Sequence, residues 1–135
     1  MEQDNIPQDK LYLHEFIAAL RKLINQSSYQ TCCIASADLA HVGLRFGDSA
    51  APSNAALKEI ERKDKEMLTQ VERLDADAFY ASIAREKDAR KICGLPPIYA
   101  LLRLIDSKKG KVLNYQQSVE AEAGSVVTFT SMVFT

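Results

Sequence analysis

Apolar residues recur at helical spacing from the first turn of the chain: Leu13, Phe16, Ile17, Leu20, Leu23 and Ile24 fall on one face, and Asp9 precedes them as an N-cap. The seven residues before that read as a loose polar tail. From Tyr29 to Ala35 the pattern changes to a short run of aromatic, β-branched and cysteine residues. Such a run predicts a strand buried on both faces, the kind found in parallel sheets. The stretch from Asp38 to Pro52 is rich in Gly, Ser, Ala and Asp and reads as a loop. Ser53 then caps a long helix with the stripe Leu57, Ile60, Leu68 and Val71, interrupted by Asp64. The charged run from Glu59 to Glu66 reads as its solvated face.

Asp75 or Asp77 opens a second helix carrying Phe79, Tyr80 and Ile83. Pro96 and Pro97 suit the first turn of a third, Ile98 to Ile105, which is apolar almost all round and so expected inside. Lys108 to Lys111 is a turn, and Val112–Val119 and Ser125–Phe134 are strands joined around Gly124. The sum is an α/β chain with few strands for its length. Partner strands are therefore expected from another part of the gene product or across a dimer interface.

Composition narrows the function classes. At 135 residues, 47% hydrophobic and 26% charged, the chain is sized for one domain or a large piece of one. A net charge of −1 argues against general nucleic-acid binding, which needs a basic surface. No apolar run reaches the roughly 20 residues that span a bilayer, and Met1–Lys10 lacks a signal-peptide core. Three cysteines, two of them adjacent, make no disulfide framework. These features point to the cytosol, with neither nucleic acid nor membrane as partner.

Two constellations carry candidate chemistry. The first is Ala37-Asp38-Leu39-Ala40-His41-Val42-Gly43, directly after the expected strand, where open α/β sheets place their ligands. His41 suits general acid–base work, with Asp38 to orient it. The alternative is an Asp38 that caps a helical turn and a His41 that packs at its edge. The second is Ile92-Cys93-Gly94-Leu95-Pro96-Pro97. Cys93 precedes a helix whose N-terminal dipole favours a thiolate, which is both a nucleophile and a soft metal ligand. Gly94 permits close backbone approach. The alternative is an inert, buried cysteine.

Cys32 and Cys33 lack metal-ligand spacing and are expected to face both sides of the strand, at least one of them buried. His14 reads as a surface residue. Arg45 and Asp48 read as a loop salt bridge or an anion site. Gly110 lies in a turn, since the surrounding phosphate-loop pattern is absent.

Taken in order, these segments resemble the Memo family, whose bacterial and archaeal members are often called AmmeMemoRadiSam system protein B. The matching text is Ala35-Ser36-Ala37-Asp38-Leu39-Ala40-His41-Val42-Gly43 with Arg45-Phe46-Gly47-Asp48, then Leu74-Asp75-Ala76-Asp77-Ala78-Phe79-Tyr80. It continues with Ile92-Cys93-Gly94-Leu95-Pro96-Pro97-Ile98, Leu113-Asn114-Tyr115 and Ser125-Val126-Val127-Thr128-Phe129. Leu44 stands where many relatives have proline.

The resemblance implies a fold like the class III extradiol dioxygenases, a mixed sheet flanked by helices. Residues 1–135 would be the C-terminal half of it, without the N-terminal half. It implies a pocket in which Cys93 is a metal ligand, His41 does acid–base work and Asp38 lines the wall. Two histidine ligands from the N-terminal half would complete it, and His14 lies in the wrong segment to replace them. Iron or copper is implied for the complete protein. In this chain no tightly bound metal is expected, because one thiolate and one imidazole fall short of the usual three or four ligands. Other readings are a non-catalytic interaction module and an inactive fragment or split-gene half that needs an N-terminal partner. The partners implied are that missing half, a second copy, or other AmmeMemoRadiSam-system proteins.

Overall fold

The computed structural model describes residues 8–135, so the tail read over the first seven lies outside the described residues. Eight elements follow one another: α1 (Gln8–Gln26), β1 (His41–Gly43), a 3-10 turn (Leu44–Phe46), α2 (Asn54–Glu72), α3 (Ala76–Arg85), α4 (Leu95–Leu104), β2 (Gly110–Glu120) and β3 (Ser125–Phe134). The starts of α2 and α3 follow their caps, whereas Asp9, expected as an N-cap, lies inside α1. The Ser53 hydroxyl accepts the Ala56 amide at 3.1 Å and the Asp75 carboxylate accepts the Ala78 amide at 2.8 Å. These bonds satisfy amides that the first turn of a helix leaves unpaired. Pro96 sits in the first turn of α4, where its missing N–H costs nothing.

β3 is the middle strand of a three-stranded sheet in the order β1-β3-β2. The α/β class is as expected, and both pairings among the described residues are antiparallel. On β3, the inward positions Val126 and Thr128 are fully buried. The alternation on β2 changes phase at a bulge between Val112 and Asn114. An extra residue in one strand moves everything beyond it to the other face. Here it leaves Val112 and Tyr115 both turned toward the core.

α2 and α3 pack together and cover the sheet with Ile60, Met67, Leu68, Val71, Phe79 and Ile83. Leu39, Ala40 and Ile92 enter the same cluster from the connecting segments. The outer face of α2 carries solvated pairs such as Arg62–Glu59 at 2.7 Å.

Three expectations are overturned. The segment from Tyr29 to Ala35 is not a buried strand but a stretch without regular secondary structure, with Tyr29 83% and Ile34 82% exposed. A strand needs a hydrogen-bonded neighbour, and this segment finds none among the described residues. Cys32 is accordingly exposed and Cys33 partly so, where one buried thiol was expected. On α1 only Ile17 is buried among the described side chains, while Phe16 and Leu23 stay exposed. Among the described elements the helix packs mainly on α4, which covers only a narrow stripe. The loop read over Asp38–Pro52 holds the short strand β1, too brief to show a period.

Candidate functional site

Two connections meet at one end of β3. Leu39 donates its amide to the Thr128 carbonyl at 2.8 Å, and Thr128 donates back to the Ala40 carbonyl at 3.0 Å. This pair extends the β1–β3 ladder backward to the residues next to Asp38. The second connection runs from α3 to α4. The Arg90 carbonyl accepts the His41 amide at 2.8 Å, and Ile92 buries its side chain in the core. Cys93 follows directly and donates its thiol to the Asp38 carbonyl at 3.7 Å.

The approach of these two backbones depends on Gly94. A Cβ there would lie 2.3 Å from the Asp38 carbonyl oxygen and 2.9 Å from Ile98 Cδ1. Gly43, at φ 118°, has the same character beyond β1: a Cβ would lie 2.2 Å from the Gly124 carbonyl oxygen.

Asp38, His41 and Cys93 are thereby brought together, with one carboxylate oxygen, one ring nitrogen and the sulfur all within 4.8 Å of one another. Cys93 is exposed rather than buried, which removes the inert-core alternative for this thiol. The cluster does not stand at the end of a Tyr29–Ala35 strand, since no such strand forms. It stands where residues 38–41 run beside β3.

The His41 ring is oriented by two contacts. Nδ1 lies 3.2 Å from the Leu39 carbonyl oxygen, and the ring meets Phe46 edge-on at 5.0 Å. A carbonyl oxygen only accepts, so this contact assigns the proton to Nδ1 in the neutral ring. Nε2 then keeps its lone pair and points into the cluster, 3.8 Å from Asp38 Oδ2. That separation is an ion-pair contact when the ring is protonated and too long for a hydrogen bond.

The loop after β1 is held by Asp48, whose carboxylate accepts the Gly43 amide at 2.7 Å and pairs with Lys91 Nζ at 2.7 Å. These two contacts, the amide first and the ammonium second, hold its pKa below the ordinary carboxylate value. Arg45 pairs with Glu120 at 3.0 Å, so Arg45 and Asp48 do not pair with each other. His14 is exposed, as expected.

The residue that pattern reading missed is Asp64. Placed within a charged run, it is nevertheless completely buried. The signal was there: it interrupts an apolar stripe, and a carboxylate on a core-facing position needs buried donors.

A mixed α/β fold bearing an Asp-x-x-His segment against an Ile-Cys-Gly segment defines the class. The chain belongs to the Memo family: the family model described as Memo-like protein matches residues 7–133. It is 31% identical to a MEMO1 family protein of Thermus thermophilus over an alignment covering 74% of this chain and 30% of that protein. It is 27% identical to a MEMO1 family protein of Aquifex aeolicus over 93% of this chain and 33% of that protein. The chain thus spans about a third of the length of these curated relatives.

Two outcomes test the local geometry. Gly94→Ala must push the Cys93 turn off the Asp38 backbone, and such overpacking costs about 1–3 kcal/mol. Thermal unfolding reads the loss. Because Asp48 has a lowered pKa, its stabilisation is complete above the unfolded value near 3.8 and disappears as the pH falls through the folded value. Asp48→Asn should therefore be less stable than wild type at pH 6, with the gap closing as the pH falls below 3.8. Unfolding midpoints measured across that range check the sign.

Proposed function

We propose that Asp38, His41 and Cys93 form one wall of a metal- and redox-active pocket of the dioxygenase-like kind. The observation that supports this most is the convergence of three different donors within 4.8 Å from two separate connections. Ligand atoms around one tetrahedral ion lie about 3.3–3.8 Å apart for bond lengths of about 2.0–2.3 Å, so small side-chain rotations bring this donor set into range. A thiolate with an imidazole suits iron, copper or zinc better than magnesium or calcium. Redox or Lewis-acid chemistry is what a bound iron or copper would supply.

In this reading Cys93 is the ligand. His41 is the acid–base group beside it, and Asp38 lines the wall 3.8 Å from the ring. Three donors with an exposed carboxylate among them hold an ion weakly, so tight binding requires ligands from outside these residues.

Cobalt titration tests the pocket, because a cobalt–thiolate bond gives a near-ultraviolet charge-transfer band. Wild type should develop it, Cys93→Ser should lose it, and His41→Ala should weaken the apparent affinity about tenfold or more, the scale of losing a ligand or its support. Failure of a Cys32→Ser/Cys33→Ser variant, in which Cys93 is the one remaining thiol, to develop the band would refute the assignment.

A second reading concerns association. Among the described residues, residues 30–37 make no backbone–backbone hydrogen bonds, and residues 31–35 and 37 line a cleft of about 610 Å³ together with Met132 and Phe134 of β3. Ile98 and Leu101 lie in the same lining. Unpaired strand edges over an apolar floor accept another strand. We assign that strand to the part of a Memo-family polypeptide that this chain does not span, since the relatives carry about two thirds of their length outside the match. Three unpaired cysteines support a reducing compartment such as the cytosol for this assembly.

Mixing the chain with the unmatched portion of the Thermus thermophilus relative should give a heterocomplex in sedimentation. It should also slow amide exchange over residues 30–37. Formation of a homodimer alone, or a complex that leaves those amides unprotected, would refute the assignment.

A further inference from the structure

A buried carboxylate lies behind the pocket. Asp64, on α2, has no solvent exposure and accepts hydrogen bonds from Thr128 Oγ1 at 2.6 Å and from the Tyr115 hydroxyl at 2.8 Å. Its other oxygen pairs with the Arg90 guanidinium, itself 5% exposed. Burial pushes the Asp64 carboxyl up, while Thr128, Tyr115 and the charge of Arg90 act against that.

Two of the three partners of Asp64, Thr128 and Arg90, lead straight to the pocket. Thr128 Oγ1 donates to Asp64 and accepts the Ala40 amide at 2.9 Å, while the Thr128 main chain pairs with Leu39 and Ala40. Arg90 holds the His41 amide with its carbonyl and stands three residues before Cys93. Its guanidinium also reaches Glu86, with Nε at 2.9 Å from Oε1. A buried ion pair is weak support for stability, since apolar replacements of similar volume are often at least as stable. Here the pair stands at the junction of the two segments that carry the three pocket donors.

We infer that Asp64 is a positioning residue of this pocket: through Thr128 it fixes the Leu39–His41 segment, and through Arg90 it fixes the turn that presents Cys93. It touches none of the three donors itself. This role rests on the pocket reading above, but it has its own observable, the ring state of His41. Loss of the anchor lets Ala40 and Leu39 shift, and with them the carbonyl that holds the proton on Nδ1.

The test exploits the presence of only two histidines, of which His14 is exposed and serves as the internal reference. Nitrogen-15 spectra of the imidazoles in the native chain report the tautomer. Wild-type His41 should show widely separated Nδ1 and Nε2 resonances, and His14 the averaged pair of a free ring. Thr128→Val keeps the β-branched shape but removes the hydroxyl, so it should shift the His41 pair toward that of His14. Thr128→Ser keeps the hydroxyl and loses a methyl group, so it should leave His41 as in wild type. Asp64→Asn should behave like Thr128→Val.

If Thr128→Ser disturbs His41 as much as Thr128→Val, the site needs packing rather than the hydroxyl and the inference is overturned. It is equally overturned if Thr128→Val leaves His41 unchanged. Should Asp64→Asn not fold, the Thr128 pair still decides. Failure of wild type to bind cobalt would end the metal reading and leave this comparison intact.

Discussion

The hydrogen bonding of one buried carboxylate organises this chain. Asp64 takes its partners from β2, β3 and the connection between α3 and α4, so four parts of the sequence meet on two oxygen atoms. A carboxylate without such donors would not tolerate complete burial. Each donor must therefore stand in its place for the helix α2 to lie against the sheet. The bulge in β2 belongs to the same requirement, because it leaves Tyr115 on the inner face.

The cluster of Asp38, His41 and Cys93 depends on close backbone approach as much as on its side chains. Gly94 lets the Cys93 turn touch the Asp38 backbone, and Gly43 lets β1 touch the turn before β3. A Cβ at either position would overlap the facing carbonyl oxygen, at 2.3 Å for Gly94 and 2.2 Å for Gly43. The Leu39 carbonyl then selects which nitrogen of His41 faces the cluster. Main chain rather than side chains thus sets the chemistry that His41 offers.

The same chain leaves part of its architecture open. Beyond the Leu39–Thr128 pair, residues 30–37 make no backbone–backbone hydrogen bonds among the described residues, and most of them line a cleft shared with β3. β-branched and aromatic residues gain little from an extended conformation that pairs with nothing, because sheet stability resides in contacts across strands. That accounts for a segment with the composition of a strand and the exposure of a loop. It fits a chain that spans about a third of its relatives.

Local rules sufficed for the helices and for the hairpin of β2 and β3. Ser53, Asp75 and Pro96 act within one turn of themselves, and alternation marks strands whose partner is the next element in sequence. The family was legible as well, because Asp38-x-x-His41 and Ile92-Cys93-Gly94 are ordered text that needs no coordinates. What the sequence alone determined was thus the element types, the caps and which three residues to watch. Tertiary structure decided that Tyr29–Ala35 is no strand, since pairing requires a neighbour that local pattern cannot supply. It also decided that Asp64 is core rather than surface, because a charge is buried only where distant donors from Thr128, Tyr115 and Arg90 arrive together.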